Sequence, residues 1–385
     1  MLLNKGVVMA KNVIFFVHGV GRHADGWSRI EGGPIHALIE ASKQYDCFNG
    51  FQLDDLVELV EIRYDDIFDQ HLNQWADLAS TLKTSPVTSA TFNKVNGLLA
   101  DLNSDTNLFA QYGGDVLLYT GFDLIARRVR LRVNSIISNT ITTALNAAKQ
   151  QSGSDPLFSI VGHSLGTTIV HDSMHQLATS NWLPKDGLDI SDVNMTAQEK
   201  DHIKKMMRDS GNNPYAPNNF IWNSVFMLSN TSRLLSRVDK DPYSSVVQPG
   251  ESVRYFVNVE HELDPVCKFK AFHVPSHWNR HRMLNIEVDH VHEINVHGYA
   301  HYLKRPAVHR PLFRGMIPEF NDSCNDQAHA LEAAFPKYAG EFVVPQKRTE
   351  LAAKLNKIIA NSDTESLDRY RAMIEAFGKI IGKFS

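Results

Sequence analysis

The pentapeptide Gly162-His163-Ser164-Leu165-Gly166 sets a serine between two glycines directly after the apolar run Phe158–Gly162. A helix beginning there would favour Ala or Leu, since each glycine costs about 1 kcal/mol in a helix interior. The glycines make sense if two backbones approach closely and the serine holds a strained strand-to-helix turn, the Gly-x-Ser-x-Gly arrangement. Such a turn projects Ser164 Oγ beyond the C-terminal edge of a sheet, near a helix N-terminus. The Leu165 N–H then faces the same space and can receive a developing oxyanion. The chemistry that follows is nucleophilic addition of a serine to a carbonyl.

Three other groups of residues compete for attention. "VIFFVHGVG", residues 13–21, is a strand ending in His18-Gly19. "GVGRHA" also fits Gly-x-Gly-x-x-Ala, a dinucleotide fingerprint, but that motif wants an acidic residue about 20 positions on, at the end of a second strand. The next strand ends only near Asp65 and Asp66. Finally, "LNIEVDHVHEINVHGYAHYLKRP" gathers His290, His292, His297 and His301. "HEINVH" is one residue too long for the helical zinc signature, and no glutamate follows His297 although His301 has the i+4 spacing. A third ligand would have to come from "FHVPSHWNRH", residues 272–281, since zinc needs three or four. The expectation is no metal site and no organic cofactor.

These residues need elements to hold them. Strand-length apolar runs recur at Val13–Val17, Leu56–Arg63, Phe158–Gly162, Trp222–Leu228, Val253–Val259 and Leu284–Val288, separated by helical stretches. That alternation predicts an α/β fold, a mostly parallel central sheet covered by helices on both faces. From Val116, apolar residues step at three- and four-residue intervals through Val129, Val133, Ile137 and Ile141 to Ala148, predicting a long helix before the serine turn. Its other face carries Arg127, Arg128, Arg130 and Arg132, read as a solvated face that could also touch an anionic membrane.

Composition narrows the class. Among 385 residues, 39 Lys and Arg against 43 Asp and Glu give a net charge of −4, which leaves no electrostatic footprint for nucleic acid. No run reaches the length of a membrane span, and the N-terminal "MLLNKGVVMAKNVIFFVHG" lacks a signal-peptide cleavage site. The three cysteines, Cys47, Cys267 and Cys324, are widely spaced and odd in number, as suits free thiols in a reducing compartment. A cytoplasmic protein is expected. One domain over 9–345 is expected, with polar insertions at about 66–112 and 182–219, followed by packing helices over 346–385. The insertion at 182–219 follows the helix after Ser164, where a cap over the site would sit.

With "VHG" and "GHSLG" so placed, the chain resembles the α/β-hydrolase superfamily, in particular its lipase and esterase-like members, from Val13 to about His301. The resemblance implies a serine, acid, histidine order along the chain. It implies an acid just past a later strand, where Asp264 stands before Pro265; Asp239, Glu260 and Glu262 are rivals. It implies a histidine on the loop after the last strand, which His297 fits, with His301 as runner-up. It also implies a second oxyanion donor after the first strand, the Val20 N–H beside that of Leu165. The expected activity is hydrolysis of a small-molecule or lipid ester through an acyl-enzyme. Two alternatives stand beside it: a non-catalytic scaffold binding a partner or small molecule, and a metal-dependent hydrolase built on the His290–His301 cluster.

Overall fold

The computed structural model describes residues 10–71, 119, 123–151, 153–179, 195–208, 213–216, 219–232, 248–250, 252–264, 272–292 and 296–339. Six strands form one sheet: β1 (Asn12–Val17), β2 (Val57–Ile62), β3 (Phe158–His163), β4 (Trp222–Leu228), β5 (Val253–His261) and β6 (Met283–Val288). Their order is β2-β1-β3-β4-β5-β6, and every pair is parallel. Both faces are covered, which is why the strands read as nearly continuous apolar runs. Val13, Phe15 and Val17 point into one core with Val129, Val133 and Ile169, while Ile14 and Phe16 point into the other with Leu38, Tyr302 and Phe313. The fold is α/β.

The first core is closed by α3 (Asp123–Gln150), α4 (Leu165–Thr179) and α5 (Ala197–Arg208). The second is closed by α1 (Pro34–Ser42), α6 (Tyr299–Leu303), α7 (Pro306–Met316) and α8 (Asp322–Ala334), with the short α2 (Leu53–Leu56) leading into β2. The chain leaves β1 toward β2 on one side, then returns to place β3 on the other side of β1. The carboxyl ends of β1 and β3 therefore bound a topological switch point, the crevice where open parallel sheets bind ligands. Gly19 and Ser164 lie there.

Several expectations change. The basic face of α3 is not a free solvated face: Arg130 is buried within 3.9 Å of Asp172, Arg132 reaches Glu199 at 3.4 Å, and Arg128 reaches His71 at 3.0 Å. Arg127 is the exposed one. Cys47 and Cys324 are joined as a disulfide across a Cα separation of 6.2 Å, so the reading of free thiols is wrong for this pair. Their 277-residue sequence separation hid a proximity that only the packing of α8 creates. The cysteines thus no longer argue for a reducing compartment. No helix among the described residues is long and apolar enough to cross a membrane.

Within the 182–219 segment, α5 is firmly seated. Ile203 is fully buried, Thr196 and Glu199 form a reciprocal cap, and His202 meets Ser138 of α3 at 3.0 Å. The segment's other residues lie outside the described set except 195–196, 213–216 and 219. Residues 1–9, the insertion beyond 71, Asp239 and the helices expected over 346–385 also lie outside it.

Candidate active site

Ser164 occupies the single position between the last residue of β3 and the first of α4, with φ +53°. A serine there is strained, and such strain persists only where the surroundings hold it. Three close approaches do so. A Cβ on Gly166 would lie 2.3 Å from the His18 carbonyl oxygen, and one on Gly162 would lie 3.0 Å from that of Gly166. One on Gly19 would come within 2.8 Å of Ser164 Cβ. The glycines therefore let α4 pack directly on the ends of β1 and β3. Ser164 is also tied to the next strand. Its N–H donates to Leu228 O at 3.0 Å, and its carbonyl accepts from Thr167 Oγ1 at 2.7 Å and Thr231 Oγ1 at 2.8 Å.

Asp264 directly follows the two-residue turn that ends β5, where its N–H donates to His261 O at 3.1 Å. Its Oδ2 accepts from His297 Nδ1–H at 2.7 Å and from the Tyr302 hydroxyl at 2.6 Å, all three side chains being buried. Burial alone would push the Asp264 carboxyl up. The adjoining His297 and the hydroxyls of Tyr302 and Ser229 outweigh it and hold the group well below the usual carboxylate range. Donation from Nδ1 fixes the His297 tautomer and leaves Nε2 as the basic nitrogen. His163, the residue before Ser164, donates from Nε2 to the His297 carbonyl at 2.6 Å, and its ring stacks on Tyr299 at 4.8 Å. The histidine loop is thus clamped to the serine turn. Burial holds His163 neutral, down to about 3.

A cavity of about 320 Å³ opens between this clamp and the segment after β1, lined by Gly19, Val20, Trp27, His163, His297 and Tyr299 among others. Leu165 is the first residue of α4, so its N–H belongs to the turn whose donors have no partner within the helix. The segment from His18 to Gly33 is positioned by the end of β2. Glu61 accepts from Gly26 N–H at 2.7 Å and Ser28 Oγ at 2.6 Å, and Asp65 accepts from His23 N–H. His18 Nδ1 donates to Gly19 O at 2.7 Å, while the Tyr64 hydroxyl donates to His18 O at 2.6 Å, so His18 shapes the turn. α1 begins only at Pro34, so no helix N-terminus stands directly behind the glycines of "GVGRHA".

Two groups of metal-ligating type occur among the described residues: His261 with His290 and His301, and His18 with His23 and Asp65. In the first, His261 donates from Nε2 to His290 O at 2.7 Å and accepts Leu263 N–H at Nδ1, so both ring nitrogens are engaged. His290 and His301 stack at 4.1 Å and donate from Nε2 to each other's carbonyls, at 3.0 and 3.1 Å. These rings staple the chain after β6 to α6. In the second, Arg63 already supplies a cation to Asp65 at 3.1 Å. Burial raises the Asp65 carboxyl to about 6.

Sequence reasoning missed His163, Ser229, Tyr302 and Glu61. Only His163 carried a signal, its place inside the serine pentapeptide; the others act through contacts between distant segments. No protein-family model and no curated protein matches the chain. A solved structure, the crystal structure of an uncharacterized protein from Pseudomonas aeruginosa, is similar at 11% identity and a TM-score of 0.26. The match covers 96% of this chain, which spans about half, 53%, of that one.

Proposed function

We propose that the protein is a serine hydrolase of the α/β-hydrolase type that cleaves a carboxylic ester or lipid acyl bond. The observation that carries this reading is the 2.7 Å bond between the buried Asp264 carboxylate and His297 Nδ1, set at the strand ends that present the strained Ser164. In this reading His297 Nε2 takes the hydroxyl proton as Ser164 Oγ adds to the acyl carbon. The carbonyl π electrons move to oxygen, and the resulting oxyanion is met by the Val20 and Leu165 N–H groups. Collapse of the tetrahedral species breaks the bond to the leaving group, which receives the proton from His297. Water, deprotonated by the same nitrogen, then repeats the addition and releases the acid and Ser164. Asp264 stabilises the imidazolium in both halves, and no metal or organic cofactor enters a step.

The test is turnover of p-nitrophenyl esters of graded chain length by the purified full chain. Ser164→Ala should abolish hydrolysis while the fold is kept, and EDTA should leave the wild-type rate unchanged. Undiminished turnover by Ser164→Ala would overturn the reading. A large loss on chelation would move attention to the histidine groups.

A further inference from the structure

Among the described residues two non-glycine residues have positive φ, and both are serines: Ser164 at +53° and Ser229 at +49°. Ser229 immediately follows β4 and is fully buried. A serine in the left-handed region is strained, and strain of this kind gathers at functional sites. Its backbone is fixed between the two halves of the site. The preceding carbonyl, that of Leu228, accepts the Ser164 N–H, and Ser229 N–H donates to Val259 O of β5 at 3.0 Å. The turn swings the hydroxyl to 3.2 Å from His297 Nδ1.

We infer that Ser229 is a positioning residue that bridges the acid and the base, accepting from His297 Nδ1–H and donating its own O–H to the Asp264 carboxylate. The inference rests on the reading of His297 as the base. The Ser229 hydroxyl helps to hold the Asp264 carboxyl below its usual range, as does that of Tyr302, which donates to Oδ2 at 2.6 Å. Two hydroxyls on one carboxylate spread its charge and reduce what it offers the imidazole. The strained backbone has a purpose in this arrangement: it places a short side chain where an extended residue at the end of β4 would not reach.

Removing the hydroxyl takes away an acceptor of Nδ1–H, which matters little because Nδ1 lies 3.2 Å from the Ser229 hydroxyl and 2.7 Å from Asp264. It also takes away a donor to the carboxylate, which leaves Asp264 more basic toward His297. The net effect is that the imidazole takes its proton at higher pH. The ionisable groups around His297 are Asp264 after β5, His163 at the end of β3, His23 on the segment after β1, and Tyr299 and Tyr302 on α6. His261 lies beyond Tyr302, at a ring distance of 6.2 Å. Burial keeps His163 neutral to about 3, and His23 and His261 to about 4, so none of these changes charge between pH 5 and 8.

The experiment compares the full chain with Ser229→Gly, which keeps the left-handed turn without strain, and with Ser229→Ala as a second hydroxyl-free variant. In histidine-labelled protein, ¹⁵N resonances of His297, assigned by their loss in His297→Gln, report its titration whether or not the protein turns over substrate. The expected result is an upward shift of the His297 titration midpoint by about half a pH unit or more in Ser229→Gly. The acid limb of the kcat/KM profile should move the same way, with KM unchanged. An unchanged or lowered midpoint in both folded variants would overturn the role of Ser229. Failure of Ser164 to support hydrolysis would instead count against the hydrolase reading and leave the resonance comparison decisive for the bridge.

Discussion

His297 is one of 18 histidines, and what sets it apart is a single bond, Nδ1 to Asp264 at 2.7 Å. His301, one helical turn on, spends its Nε2–H on the His290 carbonyl. The two should therefore fail differently. His297→Ala is expected to lower kcat on an ester substrate by about three orders of magnitude or more, as loss of a member of such a unit does. His301→Ala should hold kcat within about tenfold and instead lower the melting temperature, because the His290 carbonyl loses one of its two donors and the His290 ring its stacking partner. Steady-state kinetics and thermal melts on the two variants separate the outcomes, and equal losses of kcat would contradict the assignment. Much of this was legible in the sequence. Gly298 and the helical "YAHYL" mark His297 as the end of a loop, and Asp264 marks the end of a strand. Ser229 and Tyr302 were not legible, because each acts on Asp264 from more than 30 residues away in the chain.

At the scale of elements, the serine turn works because α4 lies against the end of β1 with no side chain between them. Gly166→Ala would place a Cβ 2.3 Å from a backbone oxygen that has no room to yield. The helix must move, at a cost of about 1–3 kcal/mol or more from overpacking, and Ser164 moves with it. Loss of both thermal stability and ester hydrolysis is the expected result, and an active variant of unchanged melting temperature would refute the close packing. Glu61→Ala probes the other wall. It frees the Gly26 and Ser28 donors and should raise KM more than it lowers kcat, because it loosens the cavity side and leaves the Asp264–His297 pair intact. A fall in kcat at constant KM would contradict that division. The strands were read from sequence to within two residues at each end, since burial on both faces leaves uninterrupted apolar runs. The basic face of α3 was misread because the pattern shows charge but not the acids that other elements bring to it: Asp172 from α4 and Glu199 from α5.

For the whole molecule, buried neutral histidines set the acid limit of stability. Burial lowers His163 to about 3 and His261 and His309 to about 4, with His18 also well below its ordinary value. An unfolded chain binds protons at these sites near pH 6.5, whereas the folded one does not. Their stabilisation is therefore complete above about 6.5 and is lost as pH falls toward the folded values, at about 1.4 kcal/mol per pH unit for each group. Asp65 works in the opposite sense: raised to about 6, it favours the folded state as pH drops from 6 toward 4. One carboxyl does not offset four histidines. The melting temperature should be level between pH 8 and 7 and fall progressively below 6.5, and a constant value down to pH 5 would contradict the buried neutral rings.

In the proposed function Ser164 is a nucleophile made reactive by its turn and by His297. The most direct test of this is covalent labelling of the native full chain with a fluorophosphonate probe, followed by mass spectrometry of the labelled peptide. One adduct is expected, on Ser164, absent in Ser164→Ala and strongly slowed in His297→Ala. An unlabelled wild-type protein, or label that persists in Ser164→Ala, would contradict it.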